Sequence, residues 1–233
     1  MHFKTSSEIE SALFKDRDAR LIVDVGACRG DMALDYLDRF RGTRLVAFEP
    51  EPENAAQARI ALAPHQDRAT LEEIALSDRA GTVDFHVNSH AGTHSLHPIG
   101  AQRYWAGHAV ARDIIRVETL TLDAYCARNG IRAIDILKLD TQGSELAVLR
   151  GAVGLLSGGA IGMIRCEVEI YPLYAGQALF HEVAAFLDRY GYKLAGLHDP
   201  YYHARNPLVL SWCDAAFVAP RLTSVPEWSP DPG

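Results

Sequence analysis

Strand-like and helix-like segments alternate along this chain with a regularity that leaves few architectures open. Leu21-Ile22-Val23-Asp24-Val25 is a short β-branched run ended by Gly26, the pattern of a buried strand. Asp31 to Phe40 follows, with Met32, Leu34, Leu37 and Phe40 at helical spacing. Arg44 to Phe48 reads as a second strand and Pro52 to Leu62 as a second helix, its proline acceptable in the first turn. Ala69 to Leu76 reads as a third strand. Gly81 to Val87 alternates with period two and suits an extra, half-exposed strand. Asn88 to Arg112 is irregular, with three Gly, four His and one Pro. Order resumes with Ile114 to Leu120, a helix from Leu122 to Arg128, and the strand Ile134 to Leu139. Glu145 to Leu156 reads as a helix, Ile161 to Val168 as a strand, Gln177 to Tyr190 as a helix, then Tyr192 to Leu197 and Ala215 to Ala219 as strands.

Such alternation implies right-handed crossovers and a mostly parallel sheet covered on both faces. The expected fold is a doubly wound α/β domain over residues 1–220, followed by a flexible Pro-rich tail over 221–233. In such sheets ligands sit beyond the C-terminal ends of the strands. Function is therefore sought just after the first, second, third and Ile134 strands.

Composition narrows the classes further. With 48% hydrophobic and 23% charged residues in 233, the chain is neither disordered nor a disulfide scaffold. A net charge of -7 argues against a protein whose main work is gripping nucleic-acid phosphates. No run approaches the roughly 18–20 apolar residues that span a bilayer, and Met1 to Glu8 has no apolar signal core. A cytoplasmic setting is expected. Cys28, Cys126, Cys166 and Cys213 form no CxxC pair, so they are expected to be reduced and largely buried.

Three segments carry candidate chemistry. The first, Asp24-Val25-Gly26-Ala27-Cys28-Arg29-Gly30-Asp31, is DxGxxxG and not the GxGxxG of dinucleotide proteins. Its glycines allow a sharp turn and close approach of a ligand to the backbone. A carboxylate ahead of the first glycine suits a cationic amino-acid moiety better than a phosphate; the alternative is a tight turn with a capping Asp. In the second, Phe48-Glu49-Pro50-Glu51-Pro52-Glu53-Asn54, an acidic residue past the strand can accept both hydroxyls of a ribose. NAD and S-adenosylmethionine (SAM) sites share that feature, and Glu51 and Glu53 also suit an acidic first helical turn. In the third, Ile134 to Glu145, Lys138 and Asp140 lie at the mouth of an otherwise apolar strand. Polar groups there are costly unless satisfied, which points to a site, or to mutual pairing and a helix cap.

The DVGACRGD, FEPEPEN, IALSDRAGTVDFHV, TLTLDAYC and IDILKLDTQGSELAVLRGA segments, in this order, resemble the FkbM-type family of SAM-dependent methyltransferases. The likeness extends through Ile164 to Glu169 and Asp214 to Val218, covering roughly residues 20–218, and KxDxxGxE followed by LxG is its most specific element. The resemblance implies a class I methyltransferase (Rossmann-like) fold with an antiparallel last strand. It also implies O-methylation of a hydroxyl on a small-molecule or glycan acceptor. On that resemblance Asp24, Gly26, Ala27 and Gly30 shape the pocket for the methionine end of SAM. Glu49 holds the ribose with Asn54 nearby, Ala75 borders the adenine, and Lys138 and Asp140 form the polar pair beneath the methyl. Gln142 departs from the family pattern, standing where many members have Glu, so no carboxylate base is available at that position.

Methyl transfer from a sulfonium needs alignment, and a hydroxyl acceptor also needs a general base within hydrogen-bond reach. Asp140 is the first candidate, with Lys138, Glu167 or Glu169 as alternatives. Glu167 and Glu169 share one strand face by the two-residue period. Either can meet the acceptor, or a divalent metal beside Asp140, which no ligand spacing supports. His86, His90, His94 and His97 are spaced by four, four and three, but Gly92 and Pro98 disfavour a zinc-binding helix. They are expected in a substrate-covering loop where one of them, such as His94, contacts the acceptor, or as exposed histidines without a function. On the family resemblance Thr93-His94-Ser95-Leu96 is similar to a small-polar SxSL element, which implies that Ser95 faces the site. Tyr171, with Tyr174 and Tyr104-Trp105, is a candidate acceptor-pocket aromatic, or an ordinary core or rim residue. A non-catalytic binding protein on the same fold and a NAD-linked enzyme are the competing readings; the missing GxGxxG weighs against the latter.

Overall fold

The computed structural model describes residues 3–16, 19–100, 109–203 and 206–222. In chain order the elements are α1 (Ser6–Leu13), β1 (Leu21–Val25), α2 (Asp31–Arg39), β2 (Arg44–Phe48), α3 (Pro52–Leu62), β3 (Ala69–Glu72), β4 (Ala75–Leu76), β5 (Gly81–Asn88) and β6 (Ala111–Leu120). There follow α4 (Leu122–Arg128), β7 (Ile134–Leu139), α5 (Glu145–Arg150), α6 (Val153–Ser157), β8 (Ile161–Glu169), α7 (Phe180–Asp188), β9 (Lys193–His203) and β10 (Asn206–Val218).

Seven strands form the main sheet in the order β3-β2-β1-β7-β8-β10-β9. The first five run parallel, and β10 is antiparallel to both β8 and β9. This is the class I methyltransferase arrangement, with the expected antiparallel last strand. Alternation along β1 divides the core. Val23 and Val25 pack with Leu122, Leu146, Leu149 and Leu187 from α4, α5 and α7. Ile22 packs with Phe14, Ala33, Tyr36, Leu37 and Leu62 on the opposite face, beside α2 and α3. The same alternation puts Asp24 on the α2 side.

Several boundaries differ from the sequence reading. The Ala69–Leu76 strand is two strands: β3 pairs with β2 at the edge of the main sheet, whereas β4 pairs with β6 in a separate three-stranded sheet of order β4-β6-β5. The Glu145–Leu156 helix breaks between α5 and α6 because Gly151 passes so close to the Ser77 carbonyl that a Cβ there would lie 2.1 Å from its oxygen. The helix expected from Gln177 begins at Phe180; the Gln177 side chain folds back instead, its Oε1 accepting from the Leu173 and Tyr174 amides. β9 and β10 are longer than expected and form an extended hairpin. The helix α1 was not anticipated. It is anchored by Glu10, buried and accepting from the Tyr36 hydroxyl at 2.9 Å. No helix among the described residues is long and apolar enough to cross a membrane.

Candidate active site

The C-terminal ends of β1, β2 and β7 open into a cleft of about 590 Å³, its solvent mouth included, within the range of small-molecule sites. Gly26, Cys28, Glu49, Ala75, His94, Asp140 and Gln142 line it beside an apolar wall of Ile74, Leu76, Phe85 and Leu96. The wall is the part that local pattern missed. It comes from the short sheet β4-β6-β5 and the segment after it, which fold over the parallel strands.

The β1 turn is built by close backbone approach. Gly26 has φ +79°, and a Cβ on it would lie 1.9 Å from the Asp140 carbonyl oxygen. Its amide and that of Ala27 donate to the Phe48 carbonyl at 3.0 Å, so the loops after β1, β2 and β7 are laced together. Gly30 caps α2 in the left-handed region, φ +91°, against Ala58 of α3. Ala27 and Gly30 shape the turn without lining the cleft.

Glu49 is 4% exposed. Its Oε2 accepts from the Cys28 amide at 2.8 Å and its Oε1 from the Glu51 amide at 2.9 Å. Burial raises its carboxyl to about 7, against the opposing effect of those two amides. Each oxygen keeps a second acceptor site, so two adjacent hydroxyls match what Glu49 offers. Asn54 lies in the first turn of α3 with its carboxamide donating to the Ala91 carbonyl at 3.1 Å. It braces the segment over the cleft and does not line it.

Beneath the floor lies a buried ion cluster. Asp24 and Lys138 are paired residues of adjacent strands, fully buried and 6% exposed respectively. Lys138 Nζ lies 3.1 Å from Asp24 Oδ1 and 3.5 Å from Asp140 Oδ2, and donates to the Gly26 carbonyl at 3.0 Å. Burial acts to lower the pKa of Lys138, but the facing Asp24 and Asp140 carboxylates outweigh it and hold the ammonium above its usual range. Asp24 thus stands below the cleft and supports it through Lys138.

Asp140 is the member of this cluster that reaches the cleft. Its Oδ1 accepts from Gln142 Nε2 at 2.8 Å, and the same nitrogen donates to Glu167 Oε2 at 2.6 Å. Gln142 Oε1 accepts from the Tyr174 hydroxyl at 2.8 Å. Ser95, fully buried, donates through Oγ to the Gln142 carbonyl at 2.7 Å. Ser95 therefore fastens the loop after β7 and does not face the cleft, while its neighbour His94 does. Burial lowers the pKa of His94, and its Nδ1 accepts from the Asn88 amide at 3.0 Å. Tyr171 sits beyond β8, its amide donating to Ser211 at 3.1 Å, outside the cleft lining. Tyr174, in the same segment, is the tyrosine in contact with the site. Tyr104-Trp105 lies outside the described residues. The histidine stretch holds a single turn of tight helix, Ala91–Thr93, and no cluster of three His, Cys, Asp or Glu side chains among the described residues has metal-binding geometry.

A model of the Methyltransferase FkbM domain matches residues 24–194, which carry every strand end that forms this cleft. The chain belongs to the FkbM methyltransferase family. It is similar to the 2-O-methyltransferase NoeI of Sinorhizobium fredii, 33% identical over 164 residues, 67% of this chain and 66% of that protein, just under two thirds of its length. It is also similar to the 31-O-demethyl-FK506 methyltransferase FkbM of Streptomyces tacrolimicus, 26% identical over 211 residues, covering 80% of this chain and 77% of that protein. Among solved structures the METTL16 methyltransferase domain aligns with TM-score 0.51 at 12% identity, over 91% of this chain and 65% of that one. That likeness shows the fold alone, and it agrees with the strand order of this FkbM-family chain.

Proposed function

We propose that this FkbM-family protein transfers the methyl group of SAM to a hydroxyl of a small-molecule or glycan acceptor. The observation that carries the reading is that Glu49 and Asp140 line one cleft, the first with an apolar wall in the same cleft and the second 3.5 Å from a buried ammonium. The residues fit the cofactor. Glu49 offers two acceptor sites for the ribose, and Ile74, Ala75, Leu76 and Phe85 offer an apolar slot for the adenine. The Gly26 turn leaves room for the methionine end. When bound, SAM supplies an electrophilic methyl on a positively charged sulfur.

The chain's own groups do the rest. Asp140 takes the acceptor's proton as general base. Lys138 stays protonated, with its donors engaged by Asp24, Asp140 and the Gly26 carbonyl, so it supplies charge and position and not proton abstraction. Glu167 stands one carboxamide away from Asp140 as a supporting acid. His94 and Asp140 mark the two sides past which the acceptor enters. The similarity to NoeI and FkbM, both named as O-methyltransferases, supports an oxygen acceptor. Acidity and the absence of a basic tract support a non-nucleic-acid acceptor. Four free cysteines fit a reducing cytoplasm.

Calorimetry with SAM and, separately, with NAD tests the cofactor. SAM is expected to bind and NAD is not; the reverse result ends this reading. A SAM-consumption screen across sugar, polyketide and phenolic hydroxyls then tests the acceptor class.

A further inference from the structure

The carboxamide of Gln142 is hydrogen-bonded at both its nitrogen and its oxygen inside the site. Both N–H groups of Nε2 go to carboxylates, Asp140 at 2.8 Å and Glu167 at 2.6 Å, and Oε1 accepts from the Tyr174 hydroxyl at 2.8 Å. The backbone beneath it is equally committed: Gln142 holds φ +55°, an uncommon conformation for a residue with a side chain, and its carbonyl accepts from Ser95 at 2.7 Å. Such strain at a residue so bonded marks a position held for its geometry.

We propose that Gln142 is a positioning residue for the methyl-transfer reaction: its carboxamide, spanning Asp140 and Glu167, aims the free edge of Asp140 into the cleft and keeps the two acids from closing on a shared proton. The inference rests on the reading of Asp140 as the base. Two carboxyl groups brought together without an intervening donor share a proton, as in carboxylate dyads, and neither is then an ordinary base. An amide between them has no titrating proton of its own, so it satisfies both at any pH. With Gln142 Nε2 on Oδ1 and Lys138 Nζ 3.5 Å from Oδ2, the Asp140 carboxylate is held through both oxygens at the edge of the cleft.

The surrounding charges make this separation consequential. Facing the pair are Lys138 from β7, Asp24 from β1, Glu145 from α5, Cys166 and Glu169 from β8, Asp214 from β10, and Tyr174. Most are acidic. Burial first, and then the Asp140 charge, hold the Glu167 carboxyl well above its usual range. The Gln142 carboxamide, hydrogen-bonded to both acids, is what stands between Glu167 and Asp140.

The test follows the carboxyl-carbon NMR resonance of Asp140 through a pH titration of the free protein with labelled aspartate, assigned by its loss in Asp140→Asn. In Gln142→Glu the titration is expected to move upward by about one pH unit or more and to split into two steps. In Gln142→Leu, which removes the donors at similar volume, a single upward shift is expected. A titration that overlays the wild-type curve in either variant overturns the proposal. Should neither variant fold, Tyr174→Phe frees one end of the carboxamide and is expected to give a smaller upward shift, and no shift there also overturns it. The measurement uses neither SAM nor acceptor, so its failure is distinct from a failure of the methyltransferase reading.

Discussion

Asp24 and Lys138 stand opposite one another on adjacent parallel strands, with Nζ 3.1 Å from Oδ1, and neither is open to solvent to any useful degree. A buried pair of this kind contributes little over an apolar pair, but leaving one partner alone is costly. Asp24→Asn or Lys138→Met is expected to destabilise the fold by about 3–5 kcal/mol. The double substitution is expected to cost less than the sum of the two. Denaturant unfolding of the three variants checks this, and strictly additive costs would show that the two groups do not act as a pair.

Glu49, as the proposed ribose contact, is expected to make cofactor affinity pH-dependent. Its folded-state value of about 7 lies above the unfolded 4.5. The stability linked to it is therefore fully present below pH 4.5 and lost as pH rises through about 7. Ligand binding runs the other way, because the ionised carboxylate is the better acceptor for two hydroxyls. SAM affinity is expected to fall by up to about tenfold per pH unit below that value. Calorimetry across the pH range, repeated on Glu49→Gln, separates this carboxyl from the other titratable groups that line the cleft, His94 and Asp140 among them. The variant's affinity should be weak and flat with pH.

Asp140→Asn keeps the side-chain volume and one acceptor oxygen, enough for only one of the two donors Gln142 and Lys138, and removes the proton acceptor. SAM affinity is expected to stay within about threefold, while turnover drops by about 10²–10⁴-fold, the usual worth of general-base catalysis. Comparable losses in binding and turnover would move Asp140 into the cofactor pocket.

Gly26 and Gly92 both line the cleft, but they differ in what surrounds them. A Cβ at Gly26 would collide with the Asp140 carbonyl at 1.9 Å and would sit on a left-handed backbone, whereas one at Gly92 meets nothing within 4 Å. Gly26→Ala is expected to cost about 3 kcal/mol or more and to abolish SAM binding. Gly92→Ala should leave stability within about 0.5 kcal/mol. Thermal melts of the pair decide it.

Local patterning was enough to place Asp24, Glu49 and Asp140 at strand ends, because strand burial and turn chemistry are written in neighbouring residues. The alternation also carried the succession of strands and helices along the chain, though not all of their boundaries, and the KxDxxGxE segment carried the family. Tertiary contacts decided the rest. Ala75-Leu76 left the main sheet because β6, more than thirty residues later in the chain, offered it a partner. Asp24, which on its own looks like a ligand contact, is covered because Lys138 arrives beside it from residues far downstream. Ser95 and His94 are adjacent, yet one fastens Gln142 and the other lines the cleft. The bond between Gln142 and Glu167 likewise joins the loop after β7 to β8. Pairings of this range depend on strand register and loop closure, which no local periodicity encodes, so the sequence determined which strand ends form the cleft and the fold determined which side chains reach it and what each of them touches there.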